Sequence, residues 1–179
     1  MIELEHFERS DFQQLMEWIE TPAFMLQWGG PHFHFPLDEG QLEEYIKNAN
    51  HKDADTMAYK VVDQETGKVV GHIALKQINK KTKSARVSKV LVGDKEMRGK
   101  GIGQQMILEI LKIAFDELEL HRVSLGVFDF NESAIACYEK CGFVKEGLRR
   151  EVVQNGDRYW SIYEMSMLEH EWSKVKQIT

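Results

Sequence analysis

The sequence predicts an α/β (α+β) fold, a mixed and mostly antiparallel sheet with helices against its faces. Two features of the hydrophobic pattern lead there. The first 50 residues place apolar side chains at helical spacing, whereas residues 58–92 run through three segments rich in Val, Ile and Leu. From residue 93 strand and helix alternate, and the pattern closes on two consecutive strands. Its 179 residues contain no repeat, low-complexity run or long linker, so one domain over residues 1–179 is the economical reading.

Each element has a local reason. Residues 1–6 alternate weakly, as a first strand does. Ser10 reads as the N-cap of a helix carrying Phe12, Leu15, Met16 and Ile19. Pro22 suits the first turn of a second short helix. The Gly and Pro content of Trp28 to Pro36 marks a loop, an unusually aromatic one. Asp38 with Gln41 reads as a capping box opening a helix to about Ala49. Strands follow at Ala58 to Val62, Val69 to Lys76 and Ala85 to Val92, the first two joined by a turn-forming Asp63 to Lys68. After a glycine-rich turn, a long helix carries Ile102, Met106, Ile107, Ile110, Leu111, Ala114, Phe115 and Leu118 on one face. Val123 to Phe128 reads as a buried strand, and Asn131 caps a helix running to Lys140 with Gly142 at its end. The last strands, about 143–153 and 158–167, turn at Asn155-Gly156, and the tail reads as a short helix.

Composition excludes several classes of function. Net charge is -6, so a general nucleic-acid partner, which needs a basic surface, is disfavoured. No apolar run approaches the roughly 18 residues of a membrane span. Met1-Ile2-Glu3-Leu4-Glu5 lacks the basic start of a signal peptide, so a cytoplasmic location is expected. Cys137 and Cys141 read as packed thiols, and His32 and His34 have no acid or cysteine beside them, so no metal is expected.

The segment that carries chemistry is Arg98-Gly99-Lys100-Gly101-Ile102-Gly103, between a strand and a long helix. Backbone N–H groups at a helix N-terminus point one way and carry partial positive charge. Glycines keep side chains out of the approach, so a diphosphate can settle there. The segment lacks the Gly-Lys-Ser/Thr ending of a P-loop, and its third glycine comes too early for the dinucleotide-binding pattern.

Downstream lies Asn131-Glu132-Ser133-Ala134-Ile135-Ala136-Cys137-Tyr138-Glu139-Lys140-Cys141-Gly142-Phe143. Together with Val90-Leu91-Val92 and Arg98 to Gly103, it resembles the GNAT superfamily of GCN5-related N-acetyltransferases. The signature is Arg/Gln-x-x-Gly-x-Gly/Ala after an apolar strand, then Asn-x-x-Ala-x-x-x-Tyr-x-x-x-Gly-Phe, and every position is filled. The resemblance covers about residues 56–168 and is closest to bacterial enzymes that acetylate small amines or protein N-termini.

The resemblance implies a GNAT fold of about seven strands, splayed between the fourth and fifth, and acetyl-coenzyme A (acetyl-CoA) as cosubstrate. It assigns the backbone of Val90, Leu91 and Val92 to the pantetheine arm. The amides of Arg98, Gly99, Lys100, Gly101, Ile102 and Gly103 fall to the pyrophosphate, Asn131 to the pantetheine, and Tyr138 to the sulfur as proton donor. On the residues alone, Asn131 is equally a helix cap and Tyr138 equally a buried helix residue. The implied reaction is direct attack of a primary amine, without an acyl-enzyme, since no histidine activates Cys137 or Cys141. A small amine or a peptide N-terminus is the implied acceptor, and a homodimer is frequent in the superfamily. Some members use a glutamate on the strand before the glycine motif as base. Residues 85–90 hold no acid, which leaves His72, Asp129 and Glu151 as candidates and a non-catalytic acyl-CoA sensor as the competing reading. Trp28, Phe33, Phe35 and Tyr45 are candidates to line an amine pocket, or they pin the loop to the core.

Overall fold

The computed structural model describes residues 1–178. In chain order it runs β1 (Ile2–His6), α1 (Phe12–Trp18), α2 (Pro22–Gly29), α3 (Glu39–Ile46), β2 (Met57–Asp63), β3 (Val69–Asn79) and β4 (Ser84–Val92). It continues α4 (Ile102–Lys112), β5 (Arg122–Phe128), α5 (Glu132–Lys140), β6 (Val144–Asn155), β7 (Arg158–Leu168) and α6 (Glu169–Val175). One seven-stranded sheet has the order β1-β2-β3-β4-β5-β7-β6. All neighbours are antiparallel except β4 and β5, which run parallel.

Each face of the sheet has its own apolar layer. On one face Met106, Ile107, Ile110 and Leu111 of α4 pack with Ile73, Leu75, Val123 and Leu125 from the strands, all nearly or fully buried. On the other, Phe12 and Leu15 of α1, Met25 of α2 and Leu42 of α3 pack with Ala58 and Leu91. Because the strands feed two layers, their inner members are apolar on both sides.

Several local details differ from the pattern-based expectations. Ser10 lies inside a short 3₁₀ turn, Arg9–Asp11, that precedes α1, so it is not the cap; Asp11 Oδ2 instead accepts from the Glu8 N–H at 2.8 Å. Thr21 caps α2, with Pro22 in the first turn. Asp38 caps α3 by accepting from Gln41 N–H at 2.9 Å, but the Gln41 side chain does not return to Asp38. It accepts from His34 N–H and donates to His34 O and Pro36 O, which fastens the aromatic loop to α3. α4 loosens into a π turn at Ile113–Glu117, where Leu118 N–H bonds Ile113 O at 2.9 Å. The last hairpin pairs Asn155 with Arg158, so its two loop residues are Gly156 and Asp157, one position later than the dipeptide signal. Among the described residues, no helix is long and apolar enough to cross a membrane.

Candidate functional site

The site begins where β4 leaves β5. Only Ser84, Ala85 and Arg86 pair with β5, opposite Arg122, Val123 and Ser124. Beyond them the strands part and leave a cleft of about 1710 Å³. That exceeds the roughly 300–1,000 Å³ of an ordinary small-molecule pocket, leaving room for two reactants.

A β-bulge helps β4 turn away. Ser88 pairs with Ala74 and Leu91 with His72, so Lys89 and Val90 together oppose Ile73. Lys89 takes up the bend with φ 52°. The Gly93 N–H reaches back to Val70 O at 2.9 Å, toward β3. Strand alternation gives Leu91 the same direction and turns the backbones of Val90 and Val92 into the cleft. The Lys89 carbonyl is held by Trp28 Nε1–H at 3.1 Å, and the Val92 carbonyl by Arg98 Nε–H at 3.1 Å.

At the mouth, Gly99 and Gly101 have φ of 75° and 79°. A Cβ on either would meet no atom within 4 Å, so the space above the loop is open. Gly101 is the N-cap of α4 and supplies no side-chain cap, so the first α4 amides stay free, while Ile102 anchors the turn in the core. A diphosphate fits this cradle by charge and by space. At Gly103 an added Cβ would lie 3.8 Å from Cys137 Sγ, an ordinary contact.

Across the cleft stands α5. Asn131 Oδ1 accepts from Ala134 N–H at 3.4 Å, so the capping role is realised while the residue also lines the cleft. Tyr138 lines it too and is 92% buried, being only 8% exposed. Burial raises its pKa, and the neighbouring Cys137 and Cys141 add to the effect, which keeps the phenol protonated. The neighbouring Cys141 draws the Cys137 thiol below its usual value.

On the α1–α3 face the cleft meets an aromatic wall. Trp28 lines the cleft and stacks on Phe33 at 5.6 Å between centroids. Phe33 and Tyr45 reach the cleft through Lys89, whose Nζ lies 5.4 Å and 4.8 Å from their ring centroids. Phe35 is exposed. Burial, then the Lys76 charge, lowers the Lys89 ammonium to about 8. On the same wall Arg86 donates to both carboxylate oxygens of Glu164, one at 3.2 Å, and to Ser124 Oγ at 3.0 Å.

The three base candidates have different surroundings. His72 is 1% exposed, shares a hydrogen bond at Nε2 with Tyr45 Oη at 3.0 Å, and has no partner at Nδ1 among the described residues. Burial lowers it to about 3, and it does not line the cleft. Asp129 and Glu151 are exposed, and their backbone N–H groups bond Ser161 O and Ser161 Oγ. Sequence reasoning missed Lys89, Lys76, Arg86 and Glu164. The available signal was charge inside segments otherwise built of Val, Ile and Leu, since a buried strand carries ionic side chains only where it faces a partner or a cleft.

The geometry agrees with known proteins. Residues 2–144 match the family model of the acetyltransferase (GNAT) domain. The chain is 30% identical over 171 residues to the spermidine N(1)-acetyltransferase of Vibrio cholerae, covering 94% of each chain. It superimposes with a TM-score of 0.82 and 27% identity on the Vibrio cholerae spermidine N-acetyltransferase solved with CoA and spermine, over 96% of this chain and 98% of that one. It is also 30% identical over 110 residues, 62% of this chain and 59% of the other, to a putative ribosomal N-acetyltransferase of Bacillus subtilis. A parted parallel strand pair, an open glycine cradle at a helix N-terminus and a family match over four-fifths of the chain converge: the protein belongs to the GNAT family and is an acetyl-CoA-dependent N-acetyltransferase.

Proposed function

We propose that a primary amine attacks the acetyl carbonyl directly in a ternary complex, inside the cleft between β4 and β5. The observation that carries this is the convergence of Val90, Val92, the Arg98–Gly103 loop and Tyr138 on one cleft. The thioester supplies an activated acetyl group. The backbone of Val90 to Val92 binds the pantetheine amides as an added strand would. The amides from Arg98 to Gly103 hold the pyrophosphate, and the Asn131 side chain bonds the pantetheine. A free N–H on β4 stabilises the carbonyl oxygen as it gains charge. The new C–N bond forms as the C–S bond breaks, the Tyr138 hydroxyl gives its proton to the departing sulfur, the amine loses one to water, and water returns one to Tyr138.

Residues of about 10–50 form the acceptor side and about 56–168 the donor side of this arrangement. A small amine or a peptide N-terminus serves as acceptor. The first is supported by the Vibrio cholerae relatives, the second by the Bacillus subtilis one.

Free-thiol release from acetyl-CoA, followed over a panel of amines and N-terminal peptides, tests the reading. Turnover is expected with at least one acceptor. Binding of CoA without turnover on any acceptor would favour the sensor. Gly101→Glu places a side chain and a negative charge in the cradle and should weaken CoA binding by 100-fold or more; unchanged binding removes the pyrophosphate assignment.

A further inference from the structure

The aromatic wall beside the acceptor end of the cleft has the composition of a cation-binding box, and the protein already fills it. Lys89 Nζ lies over the rings of Tyr45 and Phe33, 4.8 Å and 5.4 Å from their centroids. An incoming ammonium would have to displace that charge or share the box with it. Lys76 lines the same cleft, and Arg86 follows on the neighbouring strand, opposite Lys76 in the β3–β4 register.

The compensating acids are few. Glu139 and Glu164 are the acidic side chains among the residues lining the cleft. Glu164 is engaged by Arg86, and Glu139 pairs with Lys145 at 3.3 Å on the α5 side. Among the described residues, no carboxylate lies within ion-pair distance of Lys76 or Lys89. Both ammonium groups are partly desolvated, and burial lowers the pKa of each. Partly buried cations without a counter-ion attract an anion, and a low local dielectric strengthens that attraction.

We infer that the acceptor is a small primary amine that also carries an anionic group, most simply the carboxylate of an amino acid, and that Lys76 and Lys89 hold that group. The inference rests on the acetyl transfer proposed above and narrows its acceptor. A polyamine brings several positive charges to a wall that already presents two without a counter-ion, Lys76 and Lys89. An amino acid brings its carboxylate to the two lysines and leaves its amine near the β4 bulge. The same positive field disfavours the acceptor's ammonium form. It therefore promotes the neutral amine that attack requires, on a strand that carries no acidic base.

The test compares amines that differ only in the anion. The full chain is assayed for thiol release with lysine against cadaverine, leucine against isoamylamine, phenylalanine against phenethylamine, and serine against ethanolamine. Phosphoethanolamine against ethanolamine separates phosphate from carboxylate, and spermidine provides the polycationic case. The anionic member is expected to have at least a tenfold higher kcat/KM in one or more pairs, and to exceed spermidine. Lys89→Met and Lys76→Met should each reduce that advantage to within about threefold of parity by raising KM for the anionic member. CoA affinity should stay unchanged, which separates loss of the anion site from loss of the fold.

Equal or better turnover of the amine that lacks the anionic group in every pair overturns the inference, as does a preference that survives in both variants. Efficient acetylation of spermidine alone overturns it while leaving the transfer proposal standing. Failure of both CoA binding and turnover removes the transfer proposal and this inference together. CoA binding with no turnover on any acceptor removes this inference and favours the sensor.

Discussion

Tyr138 sits where an ordinary helix tyrosine would be a poor choice, since the residue is buried in the wall of a cleft and, among the described residues, its hydroxyl has no protein hydrogen-bond partner. Burial holds its proton on through the alkaline range, and a phenol of that kind is available to a thiolate as it leaves. Removal of the hydroxyl alone should therefore separate chemistry from binding. Tyr138→Phe is expected to lower kcat by about 10²-fold, at the lower end of what a positioned acid contributes. The dissociation constant of CoA should move less than about threefold, because the ring keeps its contact with Phe143. Paired measurement of turnover and CoA binding checks this. A kcat within twofold of wild type would transfer the protonation of sulfur to solvent or to another group. Cys137 precedes Tyr138 on α5. Cys141 beside it lowers its pKa, and of the two cysteines Cys137 is the more exposed, so Cys137→Ser should remove most alkylation by iodoacetamide while sparing turnover, as expected of direct attack without an acyl-enzyme.

At the scale of elements, the cleft depends on how β4 is steered after its three paired residues. Gly93 ends the strand against Trp18 of α1, and a Cβ there would fall 2.0 Å from the indole Cδ2. The contact is with a rigid ring, so the helix must shift. Gly93→Ala is expected to lower stability by about 1–3 kcal/mol, the usual range for overpacking. Gly103→Ala, with its Cβ in ordinary contact inside α4, should gain about 0.5–1 kcal/mol from helix propensity. Urea midpoints of the two variants check the opposed signs. The elements themselves were mostly legible in the sequence, because amphipathic period, caps and turn residues act locally. Asn131, Pro22 and the apolar face of α4 each reported their own neighbourhood. The β4 bulge was not legible, since Lys89 takes a positive φ that no glycine announces. The π turn after Lys112 was hidden for a similar reason: its residues keep the helical apolar spacing while the hydrogen bonding changes. The glycine-rich turn at the cleft mouth was legible because Arg98 to Gly103 is contiguous. The wall beside the cleft was not, because Arg86 and Glu164 are 78 residues apart and only sheet topology brings them together.

On the scale of the molecule, two apolar layers grip one sheet, and the smaller layer also forms the back of the aromatic wall beside the cleft. Phe7, Tyr45, Trp28 and His72 meet there. Phe7 stands edge-on to His72 at 4.6 Å, and Tyr45 Oη hydrogen-bonds it. A neutral imidazole fits this layer and a charged one does not. Burial first, and the Lys89 charge second, lower His72 from 6.5 to about 3 in the folded chain. The unfolded chain therefore binds a proton between those values that the folded chain refuses. Above the unfolded pKa both forms are neutral and stability is unaffected. As pH falls below about 6.5, stability declines with the slope of one proton until the folded pKa is reached. Between pH 7.5 and pH 5 that amounts to about 2 kcal/mol. His72→Gln keeps a polar partner for Tyr45 and cannot take up the proton. Its urea-derived stability should fall less over that interval than wild type, by about 2 kcal/mol, whatever its stability at pH 7.5. An equal fall in both proteins would place the acid sensitivity outside this layer. If the difference appears, activity lost at pH 5 should follow the acceptor KM before it follows CoA binding, because the layer that His72 loosens carries Trp28, Phe33 and Tyr45 and does not include the Arg98–Gly103 cradle.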